Sequence, residues 1–234
     1  MGPSTPGPGR RLAAGRERAR MSDTRDVIDA AVERIHLEAD AVRAVTATFD
    51  DATLAIVRLL ATTSGRVHVS GSGTSGAVAR RMAHLFSVTG MAAGFLHPAD
   101  ALHGSMGALR GDDVVIVISR GGGSAEINGL VERAKARGCQ VVALTNDADA
   151  PLAKLVDHVQ VFATPPDADP GELLAMGSNL MHAAWGDAVA MVVMRCSGYG
   201  WDQVLFTHPS GSVGDLDAPP GLAPLVLPEE GAAW

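Results

Sequence analysis

Five short runs, residues 67–70, 92–96, 113–119, 140–145 and 158–162, are rich in valine and apolar on both faces, and stretches with a helical pattern lie between them. A strand wetted on one side alternates polar and apolar residues, so runs of this kind belong to a parallel sheet covered on both faces. The pieces at 76–89, 124–137 and 151–156 are long enough for crossover helices. This alternation predicts an α/β chain with a three-layer doubly wound fold.

Two long helical patterns flank the strand region. Over residues 24–62, Ile28, Ala31, Ile35, Val42, Val45 and Phe49 recur at intervals of three, four and seven, with Glu38 as the interruption. A stripe that regular fits a helix packed across a subunit interface and equally one packed on its own domain. In the second, Leu173, Met176, Leu180, Ala184, Ala188 and Met191 share one face, which is expected to be core. Residues 1–22, with proline, glycine and arginine and little to bury, are expected to be a disordered tail. The domain is expected over 23–214 and an irregular tail over 215–234.

Charge narrows the function classes. The net charge is -7, and no dense basic face follows residue 25, so nucleic acid is not an expected partner. No apolar run reaches the roughly 18 residues of a membrane helix and no signal-peptide core is present, so the expected location is the cytoplasm, away from membranes. Cys139 and Cys196 lack CxxC spacing and are read as buried free thiols. His97 and His103 flank Asp100, but a spacing of six does not set two metal ligands on one helical face, and neither a metal nor another cofactor is expected. Asp187, in an otherwise apolar helix, is expected to be a paired structural carboxylate, and His84 and His182 to be packing or surface residues.

In doubly wound folds ligands sit beyond the carboxyl ends of the strands. Two of those ends carry matching chemistry here, Gly71-Ser72-Gly73-Thr74-Ser75-Gly76 and Ser119-Arg120-Gly121-Gly122-Gly123-Ser124. Glycines such as Gly73 let the backbone approach a ligand, the free N–H groups of the following helix favour an anion, and hydroxyls add donors. The first loop is not a dinucleotide fingerprint, because His97 and Pro98 stand where an acidic residue should follow, and the lysine of a P-loop is missing. Two such loops make a phosphate cradle.

GSGTSG, HPADALHGSMG, VVIVISRGGGSAEI, LMHAAWGDAVAMVVM and FTHPSGSVG occur in an order that resembles the sugar isomerase (SIS) domain of the arabinose 5-phosphate isomerases, over about residues 25–215. The resemblance stops short of the pair of CBS domains those isomerases commonly carry. It implies a flavodoxin-like, five-stranded parallel sheet, a homo-oligomer (dimer or tetramer) with sites shared between subunits, and aldose–ketose exchange on a phosphorylated sugar through an enediol. It further implies that Ser72, Thr74, Ser75, Ser119 and Ser124 bind phosphate. His208 matches the histidine of the family's HP turn, Asp167 its carboxylate before the long helix, and His103 a sugar contact that a neighbouring subunit can supply. Two positions depart from the pattern: Thr74 replaces a lysine and Gly123 a glutamate. Arg120 and Glu126 are the residues expected to make good the lost charge and the lost carboxylate, and Gly123 is expected to hold a backbone angle that glutamate resists. Loss of both residues is also what a non-catalytic module that binds a sugar phosphate and regulates a partner would show.

Overall fold

The computed structural model describes residues 23–210 and 212–228, so the tail expected at 1–22 lies outside the described residues. The described residues divide into two compact units, with the division between His36 and Leu37. The first contains the start of helix α1 (Thr24–Ala44), on which Ile28, Val32 and Ile35 are exposed.

The helical pattern of residues 24–62 is broken. After α1 the chain tightens into a 3-10 turn, Val45–Thr48, and begins again as α2 (Asp51–Thr62). Threonine and aspartate side chains compete for backbone groups and so interrupt helices. Thr48 Oγ1 donates to the Val45 carbonyl at 2.8 Å, and Asp50 caps α2 by accepting from the Thr53 N–H at 3.1 Å. Of the expected stripe in this second unit, Val45 is buried while Val42 and Phe49 are exposed.

The remaining elements are β1 (Val67–Gly71), α3 (Gly73–Val88), β2 (Ala93–Phe95), α4 (Pro98–Leu102), β3 (Val114–Ile118), α5 (Ala125–Ala136), β4 (Gln140–Thr145), β5 (His158–Val161), α6 (Gly177–Ser197) and α7 (Trp201–Phe206). Five strands form one parallel sheet in the order β2-β1-β3-β4-β5. Alternate residues of β3 supply two separate cores: Val114, Ile116 and Ile118 pack with α2, α3 and α6, whereas Val115 and Val117 pack with α5. Three layers result, as the valine-rich runs require. The chain moves outward from β1 to β2 and returns to β3 on the other side of β1, so the strand order reverses between β1 and β3. The loops leaving those two strands diverge to opposite faces and open a crevice.

Two expectations are corrected. The piece at 151–156 is not a crossover helix: it holds only a 3-10 turn, Leu152–Lys154. Six residues give less than two helical turns, and burial of Ala150 and Leu152 fixes the segment instead. The Leu152 N–H donates to the Gly122 carbonyl at 3.3 Å, so this turn braces the second glycine loop from below. The expected core face of the long helix is its outer one. Leu173 precedes α6 and is 87% exposed, and Met176, Leu180 and Met191 are exposed too. The buried face carries Met181, Trp185, Val189 and Val193. Since α6 is apolar nearly all round, periodicity alone could not choose between its faces. Gly186 decides the matter, because a Cβ there would meet Met82 Cε of α3 at 2.6 Å, the mark of closely approaching helices.

Candidate active site

The β1–α3 junction is tighter than a flexible loop. A Cβ on Gly71 would lie 2.8 Å from the Ser75 carbonyl oxygen, and one on Gly76 would lie 2.7 Å from the Gly71 oxygen, so both positions exclude larger residues. Gly73 instead has φ +58° with nothing within 4 Å of a Cβ, and opens α3 toward the crevice. Within the first turn Thr74 is exposed and Ser75 is buried. Ser72 occupies the N-cap position, yet its side chain makes no capping hydrogen bond. The first N–H groups of α3 thus lack the acceptor that an N-cap serine ordinarily supplies.

The second loop repeats this arrangement at β3. Gly122 has φ +59°, and its Cβ would sit 2.4 Å from Ala150 Cβ. Gly123 is different: the nearest atom to a Cβ is the Gly121 oxygen at 3.9 Å and its φ is not in the left-handed region, so glutamate is not resisted there as expected. Ser124 is the N-cap of α5, again without a side-chain cap. The strand ends thus present two helix N-termini with unspent donors on either side of the crevice, and partial positive charge accumulates there.

Glu126, the second residue of α5, joins the two loops. Its Oε2 accepts a hydrogen bond from Ser72 Oγ at 3.3 Å. Arg120 turns elsewhere. Its Nε lies 2.7 Å from Asp169 Oδ2 without hydrogen-bond alignment, and its Nη1 donates to the Glu172 carbonyl at 3.0 Å. The guanidinium is thereby tied to the β5–α6 connection.

That connection contains the residue that sequence reasoning missed. Asp169 Oδ1 accepts from the N–H groups of Met176 (2.9 Å) and Ser178 (3.0 Å), so a carboxylate from seven and nine residues upstream caps α6. A cap so remote leaves no short-range motif. Burial pushes the Asp169 pKa upward, but the Ser178 and Met176 hydrogen bonds and the Arg120 charge outweigh it and hold the pKa below the usual value. His182, one turn further along α6, is fully buried, its ring packed edge-on against Phe162 with centroids 4.7 Å apart. Burial lowers its pKa to about 4, with Asp169 opposing and Arg120 assisting. His182 is thus a neutral packing residue, as read from the sequence.

Asp167 projects from the same connection with φ +60°, and Glu172 follows with φ +55°. Left-handed backbone at residues with side chains stores strain of about 1 kcal/mol or more and is concentrated at functional sites. Asp167 lines a polar pocket of about 390 Å³ with Arg120, Asn146, Thr164 and Glu172, beyond the carboxyl ends of β3, β4 and β5.

Two expected site residues stand outside the two crevice loops. His103 ends α4, which packs on α5, and is exposed. His208 follows α6, which carries the chain to the amino-terminal edge of the sheet, where Tyr199 closes on Gly90. Its Nδ1 lies 2.6 Å from the Val204 carbonyl. A carbonyl can only accept, so Nδ1 carries a proton and Nε2 is the nitrogen left for other partners. Asp187, as expected, is paired, with both its oxygens held by Arg81. Cys139 is buried and Cys196 partly so, and both are free thiols. No group of three metal-ligating side chains occurs among the described residues, and no helix among them is long and apolar enough to cross a membrane.

Comparison with known proteins places this geometry in context. The family model described as SIS domain matches residues 60–184. The arabinose 5-phosphate isomerase KdsD of Pseudomonas aeruginosa is 34% identical over 194 residues, covering 83% of this chain and 60% of that protein. The arabinose 5-phosphate isomerase GutQ of Escherichia coli K12 is 33% identical over 150 residues, 64% of this chain and 47% of that protein. The chain therefore spans between about half and three fifths of the length of these curated relatives. Among solved structures, that of the E. coli CFT073 protein c3406 in complex with arabinose 5-phosphate superposes with a TM-score of 0.75 at 28% identity, covering 80% of this chain and 100% of that one.

Proposed function

The chain belongs to the SIS domain family, and from that premise we propose that it is a sugar-phosphate isomerase converting an aldose phosphate to its ketose, with arabinose 5-phosphate as the first substrate to test. The observation that carries this reading is the pair of uncapped helix N-termini facing each other across the β1/β3 crevice. A phosphate dianion there takes hydrogen bonds from N–H groups at both helix starts and from Thr74, Ser119 and Ser124, in the field of two helix dipoles. The sugar then extends over β3 toward the pocket that holds Asp167. Aldose–ketose exchange needs a group that moves a proton between adjacent carbons and groups that manage the two oxygens. Asp167 serves as one acid or base. His208, through its Nε2, is the second, acting on ring opening or on the oxygens. Similarity to isomerases of arabinose 5-phosphate and to a protein solved with that sugar phosphate bound supports the substrate class.

The site is completed by a second copy of the chain. Neither His103 nor His208 belongs to the two crevice loops, and exposed Ile28, Val32 and Ile35 give α1 an apolar stripe suited to an interface. Light scattering is expected to report a dimer or tetramer. Two free thiols accord with a reducing cytoplasm.

Incubation with arabinose 5-phosphate and a panel of pentose and hexose phosphates, read by NMR, is expected to show the ketose. Thr74 and Gly123, in place of the lysine and glutamate of the isomerase pattern, favour one other reading, a module that binds a sugar phosphate without converting it. A rise in melting temperature with the sugar phosphate but no conversion would establish that reading instead.

A further inference from the structure

Glycine at position 123 removes a carboxylate from the loop, yet a carboxylate still stands in the crevice. Ser72 begins α3, which packs with α6 on one face of the sheet, and Glu126 lies in α5 on the other. Their 3.3 Å contact therefore crosses the carboxyl edge of the sheet where β1 and β3 adjoin. Ser72 commits its single hydroxyl proton to this contact and leaves its own helix uncapped. One exposed hydrogen bond of this kind stabilises a fold by about 1–2 kcal/mol, and an acid in a first helical turn adds about 0.3–1 kcal/mol. An acidic side chain is moreover a costly neighbour for a bound phosphate. Stability thus offers a modest reason for an acid at this point and phosphate affinity none, whereas proton transfer beside a held phosphate offers a chemical one.

We propose that Glu126 is the carboxylate that transfers the carbon-bound proton in this chain, acting from the first turn of α5 in place of a loop residue. The proposal rests on the isomerase reading above and names the catalytic base of that site. A carboxylate oxygen of Glu126 removes the proton from C2 of the open-chain aldose phosphate. The electron pair of the broken C2–H bond forms the C1=C2 bond, and the C1 oxygen takes a proton from the site's general acid. In the second half the Glu126 acid gives its proton to C1, the C2 hydroxyl loses its own proton back to that general acid, and the C2 carbonyl forms. Nothing is oxidised or reduced overall, and no co-reactant is consumed. Ser72 positions the base by holding Oε2, leaving Oε1 for the substrate.

The test compares the full-length chain with Glu126→Gln and Glu126→Asp in D2O. It records kcat and KM for the sugar phosphate that turns over, deuterium entering the carbon-bound positions, and calorimetric affinity for the corresponding alditol phosphate, which cannot isomerise. Glu126→Gln is expected to lower kcat at least a hundredfold and to abolish deuterium entry, with alditol phosphate affinity unchanged or higher because a negative charge has gone. Glu126→Asp should keep measurable exchange. Retention of kcat within threefold in Glu126→Gln overturns the assignment while leaving the isomerase reading intact. So does a loss of alditol phosphate affinity that parallels the loss of kcat. A wild-type chain that binds the alditol phosphate but turns over no aldose phosphate overturns both.

Discussion

Four helices of this chain begin in two different ways. Helices α2 and α6 are capped by carboxylates: Asp50 accepts from Thr53, and Asp169 reaches forward to Met176 and Ser178. Helices α3 and α5 have serines in the cap position that cap nothing. The first pair has its donors already met by the chain itself. The second pair begins at the crevice between β1 and β3, and its unmet donors are what a phosphate can use. A cap usually contributes about 1 kcal/mol, so leaving these two helices uncapped forgoes stability that a bound anion can supply.

The contrast breaks most visibly if a cradle helix is given the carboxylate it lacks. Ser124→Asp should raise the melting temperature by a few degrees and weaken sugar-phosphate binding at least a thousandfold, about 4 kcal/mol, because the new carboxylate takes the donors and repels the dianion. Thermal scans and calorimetry on one preparation read the opposite signs. Equal affinity in this variant would mean that phosphate does not sit at α5.

A second effect belongs to the capped side. His182 titrates at about 4 in the folded chain, against about 6.5 when unfolded. A depressed histidine pKa means that stability is complete above pH 6.5 and lost as pH falls from 6.5 toward 4, in total about 3 kcal/mol. Asp113, Asp157 and Asp169, all held below the usual carboxylate pKa, take further stability away only at lower pH. Denaturant titrations between pH 7 and 4 should show the loss, and His182→Gln should flatten it.

Smaller still, Asp169→Ala should cost about 2 kcal/mol in urea unfolding by orphaning two N–H groups, whereas Ser124→Ala should stay within about 0.5 kcal/mol and raise KM instead of lowering kcat. Equal stability losses in the two variants would erase the distinction between capped and uncapped helices.

Much of this was legible from residue types. Valine-rich runs with no polar face gave the parallel strands because few other arrangements bury both sides of a strand, and the glycine and serine loops marked the crevice because no strand or helix interior favours such residues. Asp169 left no trace, since its partners lie seven and nine residues on and the cap is made by a fold of the chain. The inward face of α6 was equally hidden, because its methionines and valines surround the helix and only the nearness of Met82 to Gly186 selects a side. That α6 ends at the amino-terminal edge depends on which way that helix runs across the sheet, a property of topology that no motif spells out.

Gly122 and Gly123 are neighbours with opposite prospects. At Gly122 a left-handed backbone and the nearby Ala150 Cβ shut out every other residue, while Gly123 has ordinary φ and open space. Codons for glycine and glutamate can differ by one base at the second position. A single transition in the gene could therefore set an acid into the open position with no other part of the fold having to move, whereas the adjoining codon is closed to such change. The loop is thus unevenly evolvable, fixed at the residue that shapes it and free at the one beside open space.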